Sequence, residues 1–520
     1  MKPIVRIKKI NGKEYWYEDA PYYDPETKQI RHKSRYLGKN VNGRPVKVRT
    51  EGTLVPGIAA VPTQAYTFGN LLPLQKILQE FHIDEYLGQL SSEREKETII
   101  ALALSRVIHP IAMHLVAPWY EESALSLANP ELSLSSQAIS ILLSELGTSG
   151  VPEKFMQLLI KEVGTKSTLV YDITSLSSYS SLISLLEYGY NRDGLDLPQV
   201  NFSVILDSTH AIPVMYDIYP GSIVDVVTLK KTLDKIRACG VKKYTLVLDR
   251  GFFSQGNLEE LVQDKVSFVI PASFSLKAVK ELLSDAQRDL ENPKYLQKYQ
   301  KDPVFVKPVT LSINGTDIQG FCYYDLKREQ NERNLFYIRL HDVKLKLERA
   351  TIPCWRKPEE VFKERAGDFS SYFSWQVQGD RFVIEIRTNA VSQRVNRMGK
   401  QIILSQGDLD WKECLMVYRE RDCIEKTFRM LKQDLQLLPL NVRKESTMRG
   451  FIFVTFISLI LRMKLLKQMK DTKLLEEYTL DGLLLELAKI KKIRLANGEV
   501  ITSEVSKKQR TILEALGLCA

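Results

Sequence analysis

At 520 residues the chain exceeds one simple core, and roughly two to four domains are expected. Hydrophobic residues make up 44% and charged residues 26%, while six scattered cysteines with no C-x-x-C pair and six dispersed histidines exclude a disulfide framework and a structural zinc site. The net charge of +10 favours a polyanionic partner, either nucleic acid or an acidic membrane surface.

Residues 1–69 read as short strands and turns, with Asn11-Gly12 and Asn42-Gly43 as hairpin signals. The first 50 residues hold 13 Lys/Arg against 5 Asp/Glu, a local excess of +8 that suits a DNA-contacting arm or a solvated basic tail. Met1–Arg6 carries no apolar run of the signal-peptide kind. Residues 70–166 turn helical: Leu71, Leu74, Ile77 and Leu78 recur at helical spacing, as do the apolar positions of Ile99–Val107 and Ile139–Leu146. From 167 the period switches. Thr168–Asp172, Val200–Leu206 and Ile212–Tyr219 read as strands, Val224–Ala238 as a helix, and Thr245–Asp249 as a further strand. A helix near Asn257–Gln263 and a strand at Val266–Ile270 follow, so 167–289 is expected to be an α/β layer with a partly parallel sheet.

Residues 290–400 break that rhythm. Thr310–Ile318, Gly320–Tyr324, Leu335–Leu340 and Phe382–Ile386 predict strands, hence a β-rich insertion. Residues 401–450 return to the α/β layer, with one long helix from about Trp411 to Leu435, Asp410 as its N-cap and Glu413 at the capping-box position. Residues 451–520 read as helical and basic. Their most apolar run, Phe451–Leu461, lies between Arg449 and Arg462 and is too short to span a bilayer, so a buried core helix is expected.

Two of the predicted strands rhyme, T-L-V-Y-D and T-L-V-L-D, and each ends in a carboxylate, Asp172 or Asp249. Ligands of open α/β sheets sit outside the carboxyl ends of the strands. Neighbouring parallel strands would set the two acids side by side, where their repulsion calls for a cation. Hard oxygen donors without nearby His or Cys point to Mg²⁺ or Mn²⁺. Taken singly, each Asp equally suits a turn cap, and Asp249-Arg250-Gly251 is good turn chemistry. On the long helix, Tyr418, Arg421, Glu425 and Lys432 fall within an arc of ~60° at ~100° per residue. This stripe can hold a metal and phosphate, or it can be an exposed salt-bridged face with Arg421–Glu425 as an i,i+4 pair.

Together the pieces resemble a family. Tyr418-Arg419-Glu420-Arg421-Asp422-Cys423-Ile424-Glu425, continuing to Lys432, is similar to the Y-R-E-K signature of DDE-class insertion-sequence transposases, the insertion-sequence-four-like group. Three more blocks resemble it in the same order: Tyr171-Asp172-Ile173-Thr174, Pro198–Asn201 with Tyr219-Pro220-Gly221-Ser222, and Leu248-Asp249-Arg250-Gly251. Ser222 departs from the Asn expected there. The resemblance covers 168–462.

It implies an α/β, RNase H-like catalytic core interrupted by a β-rich insertion, with helical N-terminal and C-terminal regions. The 176 residues from Asp249 to Glu425 leave room for that insertion. It implies a DNA transposase in which Asp172, Asp249 and Glu425 are catalytic and hold Mg²⁺ or Mn²⁺. Two ions are expected, with Asp172 bridging. Tyr418, Arg421, Lys432, Arg250 and Arg429 would contact DNA, and Trp375 is either a base-holding aromatic or a core residue. Lys464, Lys467, Lys489, Lys491 and Lys492 are further phosphate candidates. Partners would be terminal inverted repeats and target DNA, with a homodimer on DNA and no membrane, in the cytoplasm and on the nucleoid of a prokaryotic cell. Two alternatives share many of these features. Another RNase H-like endonuclease would not need the Tyr–Arg–Lys face, and a domesticated DNA-binding protein would not need all three acids.

Overall fold

A short apolar run such as Thr168–Tyr171 makes a strand when both its faces are covered. In the computed structural model, which describes residues 4–10, 13–24, 29–41, 43–46, 61–163, 167–223 and 225–518, this run opens strand β1 (Thr168–Ser177). β1 lies inside a nine-stranded mixed sheet. β2 (Gln199–Asp207) and β3 (Ile212–Pro220) continue from it as an antiparallel meander, with all nine residues of β2 buried. On its other side β4 (Thr245–Leu248) runs parallel to β1, and β5 (Ser267–Pro271) runs parallel to β4. Parallel neighbours need crossovers, which the helices Asp225–Ala238 and Gln255–Gln263 supply.

The sheet then grows past the predicted α/β layer. β6 (Leu296–Tyr299), β7 (Asp302–Ile313) and β8 (Thr316–Asp325) pair in antiparallel order. They are followed in the chain by a hairpin of β9 (Phe373–Gln378) and β10 (Arg381–Ile386), and by β11 (Lys400–Gln406). β11 pairs with both β5 and β8, giving the order β6-β7-β8-β11-β5-β4-β1-β2-β3. The strands expected in a separate insertion therefore divide: β6–β8 belong to the main sheet, and only β9–β10 stand apart from it.

What does stand apart is mainly helical. Leu335–Leu340, expected as a strand, lies inside a 23-residue helix, Leu326–Glu348. Phe336, Leu340, Val343 and Leu347 recur at helical spacing and turn one face to a small core with Phe362, Phe369 and Phe373. The hexapeptide taken alone hides that period because Leu335 and Ile338 are also apolar, although both are exposed. Trp375 packs in this core, 5.4 Å from the Phe362 ring and 5.5 Å from Phe382, which corresponds to the core alternative.

Helices Leu72–Glu80, Ile83–Leu90, Glu93–Ile108, Ser136–Leu146 and Val151–Val163 share the main core with the 27-residue helix Glu445–Asp471. Phe451–Leu461 is buried throughout, as expected of a core helix, and no single helix among the described residues is long and apolar enough to cross a membrane. Two glycines set the closest approach. A Cβ on Gly450 would lie 1.9 Å from the Leu143 carbonyl oxygen, and one on Gly147 would lie 1.8 Å from that of Ser446. Gly450→Ala must therefore push the helices apart. Overpacking of this kind costs about 1–3 kcal/mol. A clear drop in melting temperature is expected, and an unchanged melting curve would contradict this packing.

The second unit is small and is described by itself. It holds a four-stranded antiparallel sheet (Ile4–Ile10, Lys13–Asp24, Gln29–Val41, Arg44–Val46) and a three-stranded one (Pro62–Thr67, Lys491–Leu495, Val500–Thr502). Ile10 pairs with Lys13 and Val41 with Arg44, the registers of hairpins. Asn11, Gly12 and Asn42 themselves lie outside the described residues. Buried Asp19 is ion-paired with Arg6 and Lys8. The strands at 491–502 interrupt the expected helical C-terminal region.

Candidate active site

Asp172 and Asp249 are positioned by register. β1 and β4 pair as far as Tyr171 with Leu248, where β4 stops, so the next residue on each chain is an aspartate. β1 itself runs on to Ser177, held on its other edge by β2. Asp172 is thus inside its strand, at the point where the parallel partner ends, and not at the strand terminus. Neither acid is a turn cap. Asp249 begins a short turn but makes no side-chain cap bond, and Asp172 accepts from the Ile173 N–H, 2.8 Å away, within a strand. Burial, and then the charge of Asp249, push the Asp172 carboxyl up to about 7, against the pull of the Ile173 N–H, Arg421 and Arg192.

The third acid comes from a helix that is not continuous. Asp410 and Glu413 form the expected capping box on Trp411–Arg419. The helix then tightens, with i→i+3 bonds from Arg421 N–H to Tyr418 and from Ile424 N–H to Arg421. It resumes as Asp422–Arg429 and widens into a π-turn, Met430–Asp434, closed by the Leu435 N–H on the Met430 carbonyl at 2.8 Å. π-turns inside helices are frequent at functional sites.

The single stripe expected on one straight helix is accordingly split. Arg421 reaches Asp249 with one guanidinium nitrogen and Glu425 with the other, at 2.7 Å. Burial disfavours its charge, but the charges of Asp249, Tyr418, Asp172 and Glu425 prevail and raise its pKa. Tyr418 is half-buried, and burial raises its hydroxyl pKa. Lys432, beyond the widened turn, is 11% exposed and donates to both oxygens of Asp193, at 2.7 and 2.8 Å. Burial lowers its pKa despite that partner. Arg250 and Arg429 are exposed, and Arg250 lies 6.0 Å from the Phe274 ring. Lys464, a phosphate candidate by sequence, is held by Glu80 at 2.7 Å.

Two residues escaped the sequence reading. Arg192 bears on Asp172 electrostatically, and Asp193 is the partner of Lys432. The signal was the turn Asn191-Arg192-Asp193-Gly194, in which Asn191 accepts from the Asp193 N–H at 2.8 Å. Among the described residues no group of three or more His, Cys, Asp or Glu stands gathered as a metal-binding cluster. Asp172 and Asp249 are neighbours, while Glu425 is joined to Asp249 through Arg421.

The arrangement defines the class: an α/β protein in which carboxylates meet cations where the parallel pairing within a mixed sheet stops, a layout for phosphoryl chemistry. Residues 164–461 match the family model described as a transposase DDE domain. That match spans more than half of the 520 residues, and the chain belongs to this family of DDE transposases, enzymes of DNA transposition. No curated protein matches the chain. Among solved structures it is similar to a cryo-EM structure of the piggyBac transposase synaptic complex with hairpin DNA, at 11% identity and a TM-score of 0.37, covering 81% of this chain and 79% of that one.

Proposed function

We propose that Asp172, Asp249 and Glu425 are the catalytic acids with which this transposase cuts DNA at the ends of its element and joins them to target DNA. The observation that carries this reading is the side-by-side setting of Asp172 and Asp249, with Arg421 linking Asp249 to Glu425. The same reading makes the chain a Y-R-E-K member of the insertion-sequence-four-like group. Its core is RNase H-like, which the run β3-β2-β1-β4-β5 supports: an antiparallel meander followed by strands parallel to the first.

The family generally uses divalent metal ions, and the residues fit them. Burial and mutual repulsion of two hard carboxylates raise Asp172 to about 7, the strain a cation relieves. Glu425 would complete the set by leaving Arg421. Its side chain is 64% exposed, so Glu425 can leave Arg421 with little change in its own solvation. Mg²⁺ or Mn²⁺, when bound, supplies charge neutralisation and an acidified attacking oxygen.

The chain's own side chains do the positioning. Arg421, released from its acids, turns two parallel N–H groups to a phosphate. Lys432 exchanges Asp193 for a phosphate oxygen, and Tyr418 orients the terminal nucleotide. Arg250 and Arg429 add backbone contacts, which hold DNA without reading its sequence. Water first displaces the 3′ oxygen at the element boundary, and the freed 3′-hydroxyl then attacks a target phosphodiester. Bringing two ends together requires at least a dimer on DNA.

The test is strand cleavage of the element's own flanking ends, with and without Mg²⁺. Wild type is expected to cut at the boundary only with metal. Glu425→Gln is expected to bind the same DNA within a few-fold, with affinity falling steeply as salt rises, and to cut nothing. A cutting Glu425→Gln enzyme would remove Glu425 from the site. Tight, salt-sensitive binding by a wild type that never cuts would instead favour the domesticated binder.

A further inference from the structure

The segment leaving β1 carries four large side chains into solvent. Tyr179, Leu182, Tyr188 and Tyr190 are 69–83% exposed. Tyrosine rings held in the open are platforms on which bases can stack. At the active-site end of this segment Arg192 lies 6.0 Å from the Tyr190 ring, and Asp193 holds Lys432. At its other end Ser178 Oγ donates to the Leu440 carbonyl at 2.7 Å, and the Leu440 N–H donates to Ser177 at 3.3 Å. Leu440 belongs to the loop after the π-turn. That loop walls a cavity of about 720 Å³, within the roughly 300–1,000 Å³ of small-molecule sites.

The lining of this cavity has two parts. Met113, Leu143 and Phe451 make an apolar floor, while Arg106, Arg443 and Lys444 supply positive charge, and no carboxylate lines it among the described residues. Arg106 is the informative member. It is 5% exposed, lies 4.4 Å over the Phe451 ring, and donates to the Leu435 and Gln436 carbonyls, the latter at 3.2 Å. Its Nε has no hydrogen-bond partner. Burial lowers its pKa to about 10, which still leaves it charged at neutral pH. A buried guanidinium without a carboxylate is costly unless an anion joins it.

We propose that this cavity takes a nucleoside phosphate, with the phosphate on Arg106, Arg443 and Lys444 and the sugar and base on the apolar floor. The proposal rests on the DNA-cutting reading above. Two sources share the chemistry: an unpaired nucleotide of a strand crossing the tyrosines from the active site, and a free nucleotide.

The experiment measures binding of two probes to the full chain, a short fluorescein-labelled oligothymidylate and a fluorescent N-methylanthraniloyl deoxyadenosine monophosphate. The variants are Arg443→Ala with Lys444→Ala, and Ala112→Trp, which fills the cavity mouth without changing charge. All three positions are exposed, and circular dichroism melts check folding. In the double variant the salt slope for the oligonucleotide is expected to fall by about 1.4, since each lost single-strand contact removes ~0.7. Ala112→Trp is expected to weaken it about tenfold with the slope unchanged. Loss of the oligonucleotide alone assigns the cavity to a strand, and loss of the mononucleotide assigns it to free nucleotide as well. Unchanged binding of both probes to both variants would overturn the proposal. The same preparations enter the Mg²⁺-dependent cleavage assay, with Glu425→Gln as blank. A wild type that cuts while the probes ignore the cavity variants refutes the cavity alone, whereas a wild type that neither binds nor cuts refutes the reading beneath it.

Discussion

Asp249→Asn is expected to lower strand cleavage roughly a hundred- to a thousandfold, the scale of losing a preorganised electrostatic group, while DNA affinity stays level or tightens slightly. The two halves of this expectation have one cause. Asp249 is the half-buried partner of Arg421. Amidation removes a carboxylate from the reaction, and it also frees a guanidinium that the acid had neutralised. A merely structural aspartate would behave otherwise, because losing its ion pair would loosen the helix around Arg421 and weaken binding and cutting together. Filter binding and single-turnover cleavage on the same DNA end separate these outcomes. Parallel losses in both would take Asp249 out of the chemistry.

Asp172→Asn should have an unusual effect on stability. The folded protein holds the Asp172 proton up to about pH 7, whereas the unfolded chain releases it near 3.8. The folded state therefore binds more protons between those values, and its stability on this residue's account is full below about pH 4 and declines as pH rises to 7. The shift caps the loss at roughly 4 kcal/mol. In chelator, Asp172→Asn should thus melt higher than wild type at pH 8 and close to it at pH 4. Parallel melting profiles across that range would mean that Asp172 is not held in the protonated form.

The two acids where the parallel pairing stops were legible because their signal is local, although the first strand runs on past Asp172 to Ser177. Threonine and three apolar residues followed by Asp make a short buried strand, and the repetition in T-L-V-Y-D and T-L-V-L-D pointed to parallel neighbours, as the Tyr171–Leu248 register has it. The capping box at Asp410 and Glu413 was legible for the same reason. Less could be read of what depends on distant pairing. That β8 joins β11, drawing β6–β8 into the main sheet, is decided by partners some 80 residues apart. Periodicity assumes one helical pitch, so it could not register the tightening at Arg421 or the π-turn that sends Lys432 to Asp193, 239 residues away. Leu335–Leu340 misled because a hexapeptide that is apolar except for Arg339 fits either period until its flanks are counted.

The junction between β8 and β11 has a consequence for how this chain can vary. Tyr324 pairs with Lys400, and the Asp325 N–H donates to the Gly399 carbonyl at 2.9 Å, so the chain leaves the sheet and rejoins it at one place. Everything between, residues 326–399, hangs from two adjacent strand ends that a tight hairpin could bridge at little loop-closure cost. The appendage carries its own small core and interrupts no ladder. It is a cassette, and lengthening or exchange that keeps its ties to Gln287 and Phe274 would leave untouched the register that sets Asp172 beside Asp249.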